Sequence, residues 1–445
     1  MTDQTQNLHD PAAGAPPPIS RGKAYYAYVL LFLLYMFDYI DRQVVVSVFP
    51  FLKADWGLTD MQCGMLVSAV YWSIVIFTLP VSILIDRWSR KNSIAIMAIF
   101  WSVASIACAF TRSFTQLFAA RTAIGIGEAG YAPGGATLIS TTFPKAKRAL
   151  MLGIWNAAIP LGIAIGTALG AVIAERWGWR HAFGIVAIPG FFIAFLFFRV
   201  KDYKTVSLAD TLGRAESGTG DKVSVGTVAR DILGNRTLLL IYLGFAASVF
   251  VTTSLSTWLP SYFQRTYHIP AGQAGFMGGM VMLMSIIGAP LGGFFADLWM
   301  KKTPNGRPYF IALSSLITSI ALFLSFAVLQ GIVQYAMLIF AGITAVAFVS
   351  GAMAIIQDVS NPGLRATYFS LNVVIQNLLG SSLGPIVIGS ISDHYTLGTA
   401  MAVMPFFSLV AAAAFISASR FYSRAAGKVE DIEAQIQAAP IDTRR

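Results

Sequence analysis

The spacing of charges constrains this chain more than any other feature. Residues 308–357 hold no Asp, Glu, Lys or Arg, and neither do 237–264, 266–296, 366–392 or 395–419. The 445 residues carry 31 basic and 21 acidic side chains, and an even spread would interrupt each of these runs several times. A bilayer core about 30 Å thick takes roughly 20 apolar residues of helix, and the charge-free runs match that length or twice it. The pattern is that of a polytopic membrane protein. It argues against a secreted disulfide scaffold, a disordered chain and a nucleic-acid-binding domain. Cys63 and Cys108 lie in apolar segments with no neighbouring thiol, so no disulfide framework is expected. Residues 1–20 are polar and proline-rich without an apolar run, which reads as a disordered tail and not a cleaved signal peptide.

Apolar segments fall near 24–49, 61–85, 92–111, 114–143, 149–174, 181–199, 237–264, 272–296, 308–329, 332–357, 366–391 and 397–419, predicting an all-α membrane protein of twelve spans. An even number puts both termini on one side. With the termini inside, the cytoplasmic segments hold 24 of the Lys and Arg residues and the outer loops hold 5, so the positive-inside rule places both termini in the cytoplasm. The same placement accounts for the +10 net charge without a nucleic-acid partner. The expected organisation is a cytoplasmic tail (1–23), a six-helix bundle (24–199), a linker (200–236), a second six-helix bundle (237–419) and a cytoplasmic tail (420–445). Within the linker, Val225, Val228, Ala229, Ile232 and Leu233 have the spacing of an amphipathic helix lying on the membrane surface. A multi-pass plasma-membrane protein is expected (in the inner membrane if the source is bacterial), working as a monomer among membrane lipids.

The halves repeat. Asp86-Arg87-Trp88-Ser89-Arg90-Lys91 follows span two, and Asp297-Leu298-Trp299-Met300-Lys301-Lys302 follows span eight. Gly162 and Gly166 in span five correspond in the same way to Gly380 and Gly384 in span eleven. Two such matches at nearly one offset indicate an internal duplication, giving two bundles related by an axis along the membrane normal. With these residues in view, the chain resembles a major facilitator superfamily transporter over about 24–419. The loop motif of that family is matched at Asp86, Arg87, Arg90 and Lys91, with Ser82 and Ser89 where glycines are usual. Its fourth-span motif is matched at Arg121, Gly125 and Gly127. Its antiporter motif is matched at Gly153, Gly162, Gly166 and Gly170 but departs at Thr167 and Ala171. Asp38, Asp41 and Arg42, together with Gly125-Ile-Gly-Glu128-Ala-Gly130 and Pro133, resemble the spinster-type branch. That resemblance implies proton-linked movement of lysophospholipids or sphingoid phosphates. It also implies that Asp86/Arg90 and Asp297/Lys301 latch the cytoplasmic helix ends in the outward-open state, and a latch needs weak surface pairs that break reversibly.

The residues make a functional argument of their own. An ionised side chain at the bilayer centre costs roughly 2.5–3.5 kcal/mol even on lenient scales, so one that persists faces a cavity or a partner. Spans one and four carry Asp38, Asp41, Arg42, Arg121 and Glu128, whereas spans seven to twelve carry nothing comparable. Asp38 lies near the middle of span one and shares a face with Arg42, four residues on. Glu128 lies near the middle of span four, with Arg121 on nearly the same face about 10 Å outward. A buried network that only fixes helix packing would need a single pair. The alternative is a proton site, in which a cavity carboxylate loses its arginine to an anionic substrate and takes up a proton instead. Asp41 and Glu128 are the expected titrating groups, with Asp38 next. Arg42 and Arg121 are expected to hold them or the substrate headgroup.

In the second half the expected cavity residues are uncharged: Thr252, Thr253, Ser256, Trp258 and Tyr262 in span seven, and Asn372, Gln376 and Asn377 in span eleven. A charged wall facing an apolar, aromatic one suits an anionic amphipathic solute. Gly125-Ile-Gly-Glu-Ala-Gly130 matches a dinucleotide fingerprint in letters, but it sits inside an apolar span and reads as close helix packing. The four histidines lack metal-ligand spacing, and no nucleophile–base pair stands out, so neither a metal, a cofactor nor an enzyme is expected. The expectation is a proton-coupled transporter working by alternating access. The alternatives are a proton-coupled organic-anion or drug transporter and a non-transporting membrane sensor built on the same fold.

Overall fold

The computed structural model describes residues 21–87, 90–200 and 225–438. Residues 1–20 of the first expected tail, 439–445 of the second and 201–224 of the linker lie outside that set, as do the side chains of Asp86 and Arg90. The described chain is helical almost throughout, because a backbone in hydrocarbon must satisfy its own hydrogen bonds within each segment.

Twelve spans follow in order. Span one is Arg21–Ser47, span two Asp60–Arg87 and span three Arg90–Cys108. Span four is Phe114–Glu128 followed by Tyr131–Thr142, span five Lys145–Asn156 with Ala158–Trp177, and span six Trp179–Phe197. The second half gives span seven as Arg236–Tyr267, span eight as Ala271–Leu283 with Ser285–Met300, and span nine as Gly306–Ala327. Span ten joins Gly331–Thr344 to Phe348–Asp358, span eleven runs from Arg365–Ile375 through a wide turn at Gln376–Ser381 into Leu383–His394, and span twelve joins Leu397–Val403 to Pro405–Ala438. A linker helix, Val225–Gly234, lies where the amphipathic spacing put it. The last span runs on without a break to Ala438, so the start of the expected tail is helix.

Nine helical stretches among the described residues are long and apolar enough to cross a membrane. The other three have identifiable reasons for falling short. Span one carries Asp38, Asp41 and Arg42 within its apolar run, span four is divided at Ala129 and Gly130, and span three offers only the shorter apolar stretch Asn92–Cys108. Two of the three exceptions are the spans that hold the membrane-embedded charges.

Glycines set how close the spans come. A Cβ on Gly162 would meet Tyr39 Cβ at 2.6 Å, and one on Gly166 would meet the Ile40 carbonyl oxygen at 2.7 Å, so span five lies directly on span one. In the second half, Cβ atoms on Gly380 and Gly384 would meet the Ala246 and Phe250 carbonyl oxygens, both at 2.7 Å, which sets span eleven on span seven in the same way. These paired approaches are the physical content of the repeat. Gly125 is pressed on the Val70 carbonyl and Gly127 on Trp101, so the fingerprint-like run packs helices as expected.

The two halves meet chiefly at one end of the molecule, where span two lies on span eleven and span five on span eight. There a continuous apolar core crosses from one half to the other, including Phe49, Cys63, Leu66, Trp258, Leu259 and Ile388. A second core, around Tyr242, Phe348, Tyr368 and Phe415, belongs to the second half and lies toward the other end.

Candidate functional site

A cavity of about 530 Å³ lies between the halves, of a size ordinary for small-ligand sites. Its first-half wall includes Tyr35, Asp38, Tyr39, Arg42, Tyr71, Glu128 and Tyr131, and its facing wall includes Thr252, Thr253, Ser256, Gln376, Asn377 and Ser381. Several lining segments lie at helix irregularities. Span four breaks just after Glu128, and the wide turn of span eleven presents Gln376, Asn377 and Ser381. Such turns free backbone and side-chain positions that a regular helix would fix, and they recur at functional sites.

Arg42 is the centre of the charged wall. One of its guanidinium nitrogens, Nη2, donates to Asp38 Oδ2 at 3.0 Å. The same nitrogen lies 2.9 Å from Glu128 Oε2, an ion pair whose angle is not that of a hydrogen bond. The Arg42 side chain keeps 14% of its surface exposed, whereas those of Asp38 and Glu128 keep 1% and none. The cation is therefore the accessible member of the trio. Its guanidinium lies 4.8 Å from the Tyr39 ring centroid and 5.8 Å from that of Tyr71, so π faces hold it as well. Behind it, Tyr35 stacks on Trp155 at 4.3 Å, and the Tyr131 hydroxyl donates to the Leu31 carbonyl at 2.6 Å, which fixes the wall. Arg42 Nε, Asp38 Oδ1 and Glu128 Oε1 make no hydrogen bond among the described residues. The site thus has donor and acceptor capacity to spare.

The other two embedded charges sit elsewhere. Arg121 was expected beside carboxylates, but its guanidinium donates to three carbonyls: Leu66 at 3.2 Å, Asp41 at 3.2 Å and Arg42 at 3.2 Å. It ties spans one, two and four together and is 1% exposed. Asp41 points away from the cavity toward span three, where Ser105 Oγ donates to its Oδ1 at 3.3 Å and its Oδ2 has no partner among the described residues. Of the five charges singled out by depth, then, Asp38, Arg42 and Glu128 line the cavity, and Asp41 and Arg121 do not.

The uncharged positions divide similarly. Thr252, Ser256 and Gln376 line the cavity. Trp258 is fully buried, with its indole N–H on the Pro385 carbonyl at 3.0 Å, joining spans seven and eleven. Asn372 is also fully buried and outside the cavity lining. Tyr262 packs inside the second half with its hydroxyl accepting from Gln334. In the last turn of span eight, Asp297 pairs at 2.9 Å with Arg307 at the start of span nine and not with Lys301, which is exposed. Arg307 also reaches Asp358 at 2.6 Å, where the Tyr422 hydroxyl donates to the same oxygen, so this cluster braces the second half internally.

A further cluster, which the sequence analysis does not single out, joins the halves at the end where they meet. Asp60 opens span two and is 2% exposed. Its carboxylate accepts from Arg265 at 2.6 and 2.7 Å, from Lys53 at 2.5 Å and from Ser392 Oγ at 2.5 Å. Asp393, in span eleven, returns the interaction by accepting the backbone N–H groups of Asp60 and Met61 at 2.7 and 2.8 Å. A carboxylate from one half thereby caps the first turn of a helix in the other, where the helix dipole favours it. Glu175 accepts from the Gly272 N–H at 2.9 Å, and Ser68 Oγ donates to the Ser382 carbonyl at 2.5 Å, extending the seam. Sequence spacing gives no hint of partners 205 and 332 positions apart.

Comparison with known proteins agrees with this architecture. The family model described as Major Facilitator Superfamily matches residues 31–385. Protein spinster homolog 3 of Danio rerio is 26% identical over 406 residues, covering 86% of this chain and 80% of the relative. The hexuronate transporter of Bacillus subtilis (strain 168) is 26% identical over 415 residues, covering 92% of this chain and 96% of the relative. The crystal structure of a bacterial homolog to the human lysosomal transporter spinster, inward-facing and unoccupied, superposes with a TM-score of 0.78 at 21% identity, covering 92% of this chain and 99% of that one. The fold, the repeat and the family match together make this chain a member of the Major Facilitator Superfamily, a membrane transporter and not an enzyme.

Proposed function

We propose that this chain couples protons to the transport of an organic anion by alternating access, with Arg42 as the anion's cation and Glu128 as the proton's carboxylate. The observation that carries the reading is Arg42, accessible in a cavity between the halves and held 3.0 Å from Asp38 and 2.9 Å from Glu128. Two buried carboxylates share one cation, so an anion that takes Arg42 leaves more negative charge than the site can hold. Proton uptake at Glu128 removes the excess, and anion and proton affinities become linked. Asp38 is the second carboxylate, fixed on its own helix by the four-residue spacing. Asp41 stands outside the cavity and serves, in this reading, as a secondary proton site at most.

The Asp60 seam supplies the alternation. With the halves joined there, the cavity belongs to a state closed at the Asp60 end, and the excess of Lys and Arg at the opposite end supports assigning that opposite end to the cytoplasm. The chain then sits in the plasma membrane, or the inner membrane of a bacterium, with both termini inside.

For substrate, the tyrosines on one wall and Phe245, Val249, Met282 and Val349 on the other support an anion with an apolar body, such as a lysophospholipid or sphingoid phosphate. A second reading, a sugar acid, has its own support in Thr252, Ser256, Gln376 and Asn377 across from Arg42, and in the likeness to a hexuronate transporter. Proteoliposomes under an imposed pH gradient, offered a lysophospholipid, glucuronate and an aromatic acid in turn, test both. Gradient-driven accumulation of one of these anions is the expected result. Absence of flux for every anion, with binding retained, would instead make the protein a sensor.

A further inference from the structure

Away from the transport cavity, a second recess of about 720 Å³ opens at the Arg307 end of the second half. Its walls are the linker helix Val225–Gly234, the first turn of span seven and the extension of span twelve. Four cations line it, Arg230, Arg236, Arg424 and Lys428, and all four are exposed. None of them makes an ion pair among the described residues. The one acid of the lining, Asp231, is engaged by the Tyr368 hydroxyl. Thr237, also in the lining, is fully buried, and its hydroxyl has no hydrogen-bond partner among the described residues. An isolated buried hydroxyl costs free energy unless something completes it, so it points to a ligand with acceptor atoms.

The surroundings decide what kind of anion fits. Leu233 on the linker helix is 69% exposed, and Leu239 and Leu243, the next turns of span seven after Arg236, are 37% and 48% exposed. Apolar surface that open on a membrane chain faces acyl chains. Arg236 also lies 5.6 Å from the Phe421 ring centroid, which holds one cation at the boundary between the recess and the apolar belt. A basic recess with an apolar apron at the membrane surface matches a molecule that is anionic at its head and apolar behind it.

We propose that this recess binds the phosphate headgroup of an anionic phospholipid of the surrounding leaflet, and so pins the linker helix to spans seven and twelve. The headgroup oxygens take Arg236, Arg424 and Lys428 together with the Thr237 hydroxyl, and the acyl chains lie along Leu239 and Leu243. The site is separate from the transport cavity and shares no residue with it.

The test uses the full-length protein in detergent, with melting temperature and retained lipid by native mass spectrometry as readouts. Phosphatidylglycerol, phosphatidylcholine and inorganic phosphate are added separately. Phosphatidylglycerol is expected to stabilise and remain bound where phosphatidylcholine and inorganic phosphate do not. Each surface cation contributes roughly a fivefold change in affinity. The triple variant Arg236→Gln, Arg424→Gln, Lys428→Gln should therefore need at least tenfold more phosphatidylglycerol for the same shift. Lys428→Gln alone and Thr237→Val alone should each weaken it several-fold, and they carry the test if the triple variant does not fold. Arg42→Ala should leave the preference intact, which separates this site from the transport cavity. An unchanged preference in the recess variants overturns the proposal, as does equal stabilisation by inorganic phosphate or loss of the preference in Arg42→Ala.

Discussion

Arg42 and Arg121 are both arginines in the membrane interior, yet their partners give them different work. Arg42 meets carboxylates and keeps an accessible face, whereas Arg121 spends its donors on three carbonyls and is sealed. Removing Arg121 leaves those carbonyls without a charged donor in a water-poor interior. Arg121→Ala is therefore expected to destabilise the fold by about 3 kcal/mol, visible as a lower unfolding midpoint in detergent with or without substrate. Arg42→Ala should instead fold but lose stabilisation by anions that enter the transport cavity, a contrast read by thermal shift with a lysophospholipid and with glucuronate, while its response to phosphatidylglycerol stays that of wild type. If both variants lose stability alike and neither loses the ligand effect, the division of labour is wrong. For Glu128 the sign of the pH dependence follows from linkage. An anion that promotes protonation binds more tightly as pH falls, by up to about tenfold per pH unit for one linked proton. Glu128→Gln should flatten that slope in a titration of binding against pH, and Asp41→Asn should leave most of it.

At the scale of helices, the Asp60 seam depends on two kinds of contact: a carboxylate network, and glycines with no room for a side chain. A Cβ on Gly64 would lie 2.4 Å from the Pro385 carbonyl oxygen, and one on Gly389 would lie 2.6 Å from that of Asp60. Gly64→Val should therefore act as a wedge that opens the Asp60 end without disturbing either half. Asp60→Asn should have the same sign through loss of the Arg265 and Lys53 pairs. Spin labels at Thr59 and Tyr395, both exposed, can read the separation, and the buried native Cys63 and Cys108 leave the labelling specific. Longer distances in both variants are expected. Unchanged distances would mean that the seam reports closure without stabilising it.

For the molecule as a whole, the twelve-span plan was legible because charge-free runs report membrane thickness directly. The facing of individual side chains was legible only in part. Asp38 and Arg42, four apart in one helix, had to share a face, and Glu128, near the middle of span four, meets Arg42 at 2.9 Å. Asp41, one residue before Arg42, is turned toward span three, and Arg121 shares nearly the face of Glu128 but lies two turns outward, where that face is packed on spans one and two and not open to the cavity. Trp258 follows Ser256 by two residues, about 200° around a helix, so the two could not both face the cavity. The Asp60 seam was invisible because its members look like ordinary loop charges until the fold brings distant ends together. The coupling claim is tested most directly by comparing wild type with Glu128→Gln in proteoliposomes loaded with the transported anion. The variant should exchange internal for external anion as wild type does, yet fail to concentrate it under an inward proton gradient. A Glu128→Gln protein that still concentrates the anion in response to that gradient would contradict the account.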